Sequence, residues 1–368
     1  MRLDWYERVI GPLLFRIQAE RAHHAVLTGL GLVSRIPGSG QALRSLLSVP
    51  QDARLAIEVA GLTFPNPIGL AAGVDKDAIA VSGWFALGFG SVEIGTVTPC
   101  PQAGNPRPRL WRFPAEEALV NALGFPSAGA AVVRERLVGR RFPGPVGVNL
   151  GKNAGTPLER AAVDYEAGFL ALWDVADYVV INVSSPNTPG LRTLQDPVLL
   201  GYLVEHMKEV DRALARLHRA PQRPIFVKVA LDLEPMVLDE VVDVLIAVGA
   251  SGLIVGNTST DPSLRPSSAA GLPGGLSGRP VQKRARDLLA RAAERADERL
   301  VLVSVGGVMT AEDVVERIRL GAHLVQLYTG LVYRGPRFPA AVLRQLLRTL
   351  DEGGLYAVGA LRGRLPRS

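Results

Sequence analysis

The sequence predicts an α/β fold: a (β/α)8 TIM barrel preceded by an N-terminal helical extension. Three observations predict it. From residue 67 onward, short β-branched runs alternate with helical segments, as βαβ units of a parallel sheet do. Eight such pairs can be counted, and eight units closing on themselves make a barrel of ordinary size. Nothing like GxGxxG follows the first strand, which disfavours the alternative of an open doubly wound sheet.

Residues 4–17 and 19–36 read as two short helices. Their apolar faces carry Trp5, Val9 and Leu13, then Ala22, Val26, Leu30 and Val33. Arg2, Arg8, Arg16, Arg21 and Arg35 border those faces, while Pro12, Gly29 and Gly31 weaken both helices. The pair is either amphipathic and laid on a membrane, or a helical cap packed on the main domain. Residues 55–64 read as a hairpin. The barrel strands are expected over 67–72, 89–95, 145–150, 178–183, 224–230, 251–256, 301–305 and 323–328. The helices that follow them are expected over 75–88, 127–141, 159–176, 197–218, 235–249, 280–297, 310–320 and 336–351. The connections 97–126 and 257–279 are rich in Pro, Gly and Ser, and loops of that length in a compact domain are usually functional. The chain is therefore divided into an extension, 1–50, and a catalytic barrel, 51–368.

Composition narrows the function. With 48% hydrophobic and 21% charged residues, the chain is neither disordered nor fibrous. A single cysteine, Cys100, excludes an intrachain disulfide and a multi-cysteine metal site, and no metal is expected. No run of 18 apolar residues is present, so no membrane-spanning helix is expected. The first residues lack a secretory signal, and a reducing, cytoplasm-facing compartment is expected. The net charge of +6 suits anionic small molecules or an anionic membrane surface, but is too diffuse to argue for nucleic acid.

Barrel enzymes carry their chemistry at the C-terminal ends of the strands. Three of the five lysines (Lys76, Lys152 and Lys228) fall there, as do six of the eight asparagines: Asn121, Asn149, Asn153, Asn182, Asn187 and Asn257. Asn149 and Asn182 end buried strands, where an unpaired amide costs about 1–3 kcal/mol; they need partners, and a bound ligand is a natural one. Amides pair donors with acceptors, and a ring of them suits a pyrimidine or a flavin edge. Lys76 adds a cation for a carboxylate. Lys228 lies on a buried strand and should face an anion, with an ion pair to Glu93 as the alternative. Gly306-Gly307 and Tyr328-Thr329-Gly330 occupy the places where such barrels bind phosphate, and 272–278 could complete the cradle or be a flexible loop. None of the five histidines ends a strand. The base is therefore sought among Ser184, Ser185 and Lys76, the serines becoming plausible on a lid that excludes water.

The motifs AAGVDKD, EIGTVTP, NALGF, GVNLGKN, INVSSPNTPGLR, VKVALDL, GNTS, GGLSGRP, VGG and QLYTG, with ERAH at 20–23, are similar in order and spacing to those of the quinone-dependent (class 2) dihydroorotate dehydrogenases. That resemblance covers nearly the whole chain. It implies oxidation of dihydroorotate to orotate in pyrimidine synthesis, with one FMN per chain passing electrons to a membrane quinone. Ser185 would take the C5 proton while C6 delivers hydride to the flavin. Lys76, Asn121, Ala122, Leu123, Gly124, Phe125, Asn182, Asn187, Asn257 and Thr258 would hold the substrate. Ala72, Gly73, Val74, Asp75, Lys76, Thr96, Asn149, Asn182, Lys228, Gly256, Gly278, Gly307, Tyr328 and Thr329 would hold FMN. The N-terminal helices would form the quinone entrance, with His23 and Arg112 at its inner end. The protein would sit peripherally on the cytoplasmic side of the cell membrane.

The soluble class 1 relatives use a cysteine base. Here Ser185 takes that place and Cys100 lies outside the loop. Four positions depart from the family pattern: Gly256 stands where a threonine is usual, Leu231 where a proline is usual, and Ala122-Leu123 where a polar or bulkier pair is usual. Rival readings are a flavin barrel acting on a related heterocycle with a soluble acceptor, and a flavin-binding membrane sensor without turnover.

Overall fold

The computed structural model describes residues 6–33 and 35–363. Trp5 and Arg2, assigned above to the first helix and its border, lie outside the described residues.

A π-helical turn, Tyr6–Ile10, runs into α1 (Gly11–Arg16), followed by α2 (Ala19–Val33) and α3 (Ser39–Leu46). The third of these helices was not expected. A hairpin of β1 (Ile57–Val59) and β2 (Leu62–Phe64) comes next, where the sequence predicts one.

Eight parallel strands then close a barrel: β3 (Ile68–Leu70), β4 (Ser91–Val97), β7 (Val146–Leu150), β8 (Tyr178–Asn182), β9 (Ile225–Val229), β10 (Gly252–Val255), β12 (Val301–Val305) and β13 (Leu324–Leu327). All eight predicted strands are present. The outer layer contains α4 (Val81–Ala86), α5 (Ala130–Leu137), α6 (Ala161–Leu172), α7 (Pro197–His218), α8 (Pro235–Ala247), α9 (Gln282–Ala296), α10 (Ala311–Arg319), α11 (Thr329–Arg334) and α12 (Phe338–Glu352).

The two long connections are not open loops. They supply β5 (Leu110–Phe113), β6 (Ala118–Asn121) and β11 (Gly275–Gly278), an antiparallel sheet outside the barrel. The segment 272–278, considered above as a flexible loop, thus ends in a paired strand. Each residue from Gly275 to Gly278 lies opposite one of Ala118–Asn121, and that cross-strand pairing fixes its backbone.

Strand alternation sorts the side chains into two layers. Val179, Ile181, Val227, Val229, Leu253 and Val255 belong to the core shared with the helices. Tyr178, Val180, Phe226, Ile254, Val303 and Leu324 form a second cluster, with Phe64 and Val59 of the hairpin. This inner layer is closed by the rings of Phe64, Tyr178 and Phe226, with centroids 6.4 and 5.4 Å apart in succession. A Cβ at Gly147 would lie 2.1 Å from the Tyr178 ring, so the neighbouring strand must carry glycine there. Continuing the same parity up the strands gives Asn182 on β8, Lys228 on β9 and Gln326 on β13. The fold therefore changes from apolar filling to polar side chains within one residue pair.

Candidate active site

Register brings these polar residues together. Asn182 pairs across the ladder with Lys228, and Asn149 with Gly95. Thr96 Oγ1 donates to Asn149 Oδ1 at 2.6 Å. Asn182 Nδ2 donates to Thr96 Oγ1 at 2.9 Å and to Asn149 Oδ1 at 3.0 Å. Asn149 Nδ2 donates to Glu93 Oε1 at 2.8 Å, and Gln326 Nε2 donates to the other Glu93 oxygen. Lys228 Nζ lies 3.9 Å from Glu93. The two strand-end amides thus find partners in the protein, and their hydrogen bonding alone does not require a ligand.

Lys228 takes the alternative the sequence left open, the ion pair with Glu93. It also lines a cavity. Burial pulls its pKa down, against the pull of the Glu93 charge. Glu93 and Asn149 are fully buried, and Asn182, Lys228 and Ser185 are 3%, 4% and 6% exposed.

The cavity at this barrel mouth measures about 980 Å³ including its space open to solvent, near the upper end of the usual range of small-molecule sites, about 300–1,000 Å³. Ala72, Gly73, Lys76, Thr96, Asn121, Leu123, Gly124, Phe125, Asn182, Ser185, Asn187, Lys228, Asn257, Thr258, Gly307, Tyr328 and Thr329 all line it. Leu110, Leu119, Ser277 and Gln326 line it too, without having been anticipated. Gln326 was detectable by parity, since it sits two residues before Tyr328 on an inward-facing row.

The other anticipated residues sit elsewhere. Asn149 lies behind the wall. Asp75 is buried and accepts from Ile79 N, Ala80 N and Trp84 Nε1, which shapes the turn after β3. Val74 faces a different cavity. Ala122, Gly256 and Gly278 are not in the lining. Lys152 donates to Thr156 O at 2.8 Å within its own loop, and Asn153 holds Cys100 and Gln102 of the 97–126 connection.

Among the base candidates, the two serines differ. Ser184 is fully buried; its Oγ donates to Asn182 Oδ1 (2.9 Å) and accepts from Asn257 Nδ2 (2.8 Å). Ser185 lines the cavity, and its Oγ accepts from Asn187 N at 3.2 Å. Asn187 Nδ2 in turn donates to Asn121 Oδ1 at 3.1 Å, joining the serine loop to β6. Lys76 Nζ donates to Gly73 O at 3.2 Å, and burial pulls its pKa down to about 8.

The glycines expected to cradle an anion have left-handed backbone. Gly278, Gly306 and Gly307 have φ of 99°, 104° and 69°, where glycine is favoured. A Cβ at Gly307 would lie 2.3 Å from Gln282 Cα. Two of the family departures meet in space. A Cβ at Gly256 would lie 2.9 Å from Leu231 Cδ2 and 2.7 Å from Val305 O. Leu231 therefore fills the place a side chain at 256 would need.

A second, apolar cavity of about 1400 Å³, including solvent-open space, lies between the N-terminal helices and the barrel. His23, Arg112, Leu14, Phe15 and Val26 line it. Arg112 donates to Leu14 O and Ile17 O and lies over the Phe15 ring. Burial, then the Lys76 charge, pushes the His23 pKa down to about 4, so its imidazole is neutral at pH 7. Leu110, Leu119 and Tyr328 line both cavities, so only one layer of side chains separates them. The remaining histidines are elsewhere: His206 pairs with Glu166, and His323 Nδ1 accepts from Leu302 N. Among the described residues, no His, Cys, Asp and Glu cluster could hold a metal ion.

Comparison with known proteins agrees with this geometry. The sequence model of the family Dihydroorotate dehydrogenase matches residues 54–350. A dihydroorotate dehydrogenase (quinone) from Myxococcus xanthus is 48% identical over 348 residues, covering 94% of each chain. A counterpart from Thermus thermophilus is 47% identical over 352 residues, covering 95% of this chain and 98% of the relative. The crystal structure of DHODH in complex with ferulenol from Eimeria tenella superposes with a TM-score of 0.83 at 34% identity, covering 96% of this chain and 97% of that one.

Proposed function

The chain belongs to the dihydroorotate dehydrogenase family, and we propose that the barrel-mouth cavity is where it oxidises (S)-dihydroorotate to orotate in pyrimidine biosynthesis. It is an oxidoreductase of the quinone-dependent kind. The observation that carries the reading is one cavity that joins a buried amide cluster, two lysines and a serine hydroxyl, with an apolar cavity one side-chain layer away.

The residues present fit a flavin, and specifically one FMN per chain. Gln326 Oε1 is buried and without a partner, Lys228 offers a buried cation, and Gly306-Gly307 and Thr329 offer bare backbone for a phosphate. When bound, FMN supplies a two-electron acceptor for the substrate and a donor for the quinone. Lys228, Thr96, Asn182, Gly73, Gly307, Tyr328 and Thr329 would hold it, with Asn149 fixing the Thr96 and Asn182 side chains from behind.

Lys76 would bind the substrate carboxylate, and Asn121, Asn187, Asn257 and Thr258 its ureide edge. In the reaction the C5–H and C6–H bonds break and a C5=C6 double bond forms. The C5 proton goes to Ser185 Oγ as the hydroxyl's own proton passes to solvent at the cavity mouth, while the C6 hydrogen leaves with its electron pair to the two-electron acceptor. The Asn187 N–H already donates to Ser185 Oγ and stabilises negative charge as the hydroxyl approaches alkoxide character. Near-complete burial of Ser185 limits the water that would compete for the C5 proton.

The second cavity suits a quinone ring and tail. His23, neutral at pH 7, and Arg112 offer polar contacts at its inner end. Residues 1–50 would be the quinone-access extension and 51–368 the catalytic barrel. Among the described residues no helix is long and apolar enough to cross a membrane. Among the described residues, eight of the eighteen exposed large apolar side chains fall within residues 9–46, including Leu13, Ile17, Leu32, Ile36 and Leu46, beside exposed Arg16, Arg21 and Arg35. That density supports peripheral attachment to a membrane surface, which in this reading is the cytoplasmic side of the cell membrane.

The reoxidation half-reaction tests the acceptor. Enzyme reduced by dihydroorotate should be reoxidised by a short-chain quinone and not by NAD⁺. Reoxidation by NAD⁺ alone would assign a soluble acceptor and remove the second cavity's role.

A further inference from the structure

The loop carrying Ser185 is Ser-Pro-Asn-Thr-Pro-Gly in sequence and makes no strand or helix until Leu191. Something outside it must hold the serine in register. Arg192, in the 3-10 turn Leu191–Gln195, does so by spanning three connections. Its Nε donates to Ser184 O at 3.1 Å. Its Nη2 donates to Thr258 O at 3.1 Å. Its Nη1 donates to Asp232 Oδ2 at 3.0 Å and to Thr260 Oγ1 at 3.1 Å. Asp232 then accepts from Thr260 N at 2.7 Å and from Ser259 Oγ. One guanidinium thus ties together the segments after β8, β9 and β10.

We propose that Arg192 is a positioning residue for dihydroorotate oxidation, setting the separation between Ser185 and the Asn257-Thr258 wall of the substrate site. The Ser184 carbonyl belongs to the peptide whose nitrogen is that of Ser185, so anchoring it fixes the plane from which the Ser185 side chain departs. Thr258, anchored by the same fork, lines the cavity. Only a planar group with five donors can reach four acceptors in these directions; a lysine ammonium cannot span them. The side chains of Arg192 and Asp232 are 25% and 17% exposed, so solvent does not dissolve the arrangement. The inner bond from Asn257 Nδ2 to Ser184 Oγ joins two of the same segments on the cavity side, so that Arg192 and Asn257 grip Ser184 through different atoms.

This inference rests on the reading that Ser185 is the base at this cavity. The test uses FMN-loaded full-length Arg192→Gln and Arg192→Lys beside the wild type. Misplacing a catalytic group by about 1 Å costs roughly 100-fold in rate. The expected result is a fall of at least about tenfold in the limiting rate of flavin bleaching by dihydroorotate, with a weaker orotate-induced shift of the flavin spectrum. FMN content, and reoxidation of dithionite-reduced enzyme by quinone, should match the wild type. Arg192→Lys keeps the charge, provides a folded variant if Gln does not, and should recover the rate only in part.

Wild-type bleaching and orotate affinity in either folded variant would overturn the proposal. So would an equal loss in both half-reactions, which marks general damage. If dihydroorotate fails to bleach the wild type, it is the underlying reading that falls.

Discussion

Asn257 Nδ2 donates to Ser184 Oγ at 2.8 Å, and Ser184 Oγ passes its own hydrogen to Asn182 Oδ1 at 2.9 Å. Ser184 is thus spent on holding two strand ends together, while its neighbour Ser185 lines the cavity. Ser185→Ala should keep FMN bound and slow flavin reduction by orders of magnitude, because only the proton acceptor is lost. Ser184→Ala should instead cost about 1–3 kcal/mol in stability, by leaving the Asn182 and Asn257 groups short of a partner. Stopped-flow reduction and thermal melts of the two variants separate these outcomes; equal reduction rates in Ser185→Ala and wild type would exclude the serine as base.

Lys76 predicts a pH dependence for binding. Burial holds its free-enzyme pKa at about 8. A substrate carboxylate favours the charged ammonium, so the complex takes up a proton above that pH. Orotate affinity should therefore be flat below about pH 7 and weaken above pH 8, approaching about tenfold per pH unit. Isothermal titration across this range reads it, and a constant Kd would remove Lys76 from the carboxylate site.

Gly256 and Leu231 predict coupled mutations. Gly256→Ala brings a Cβ against Leu231 Cδ2 and Val305 O at a φ of 121°, and should destabilise. Leu231→Ala removes a fully buried side chain and should cost about 2–5 kcal/mol. The double variant should be more stable than the sum of the two losses implies, by about 0.5–3 kcal/mol, because one change clears room for the other. Strict additivity in denaturant melts would show the two departures to be independent.

The barrel was readable because its eight strands are buried, β-branched runs punctuated by helices. Asn182 and Lys228 were readable because polar residues on buried strands are expensive, whereas Ser185 was separated from Ser184 only by the family resemblance. The outer sheet was not readable. Gly275–Gly278 pairs with Ala118–Asn121 across more than 150 residues of sequence, and a segment containing LPGG carries a turn signal rather than a strand signal. Helix α3 (Ser39–Leu46) was missed because Gly38 and Gly40 read as punctuation, although Gly38 serves as its left-handed N-cap. The Arg192 contacts with Ser184, Thr258 and Asp232 join segments up to 66 residues apart, and no local pattern encodes them. The partners of Asn149 were missed for the same reason: Glu93 and Thr96 lie on another strand.

Glu20 predicts how the helical cap responds to acid. Its buried carboxylate accepts from Arg109 at 2.7 Å and from Arg107 at 3.0 Å. Burial raises its pKa, but the two guanidinium groups outweigh burial and leave it below the ordinary carboxylate value. A depressed carboxylate gives its full stabilisation above about pH 4.3 and loses it as pH falls through the lower, folded value. Glu20→Gln should remove this acid-dependent part and destabilise at neutral pH by about 3–5 kcal/mol, since Arg109 is left buried without its anion. Quinone turnover should fall further than flavin reduction. Melting of Glu20→Gln indistinguishable from the wild type at pH 7 would show that the ion pair does not hold the cap.

The most direct measurement is an anaerobic titration of purified, FMN-loaded protein with dihydroorotate, followed at the flavin absorption band. Stoichiometric bleaching, at about one substrate per chain, and full recovery of colour on adding a short-chain quinone are expected. A preparation that takes up no flavin, or one that stays yellow under excess dihydroorotate, would contradict it.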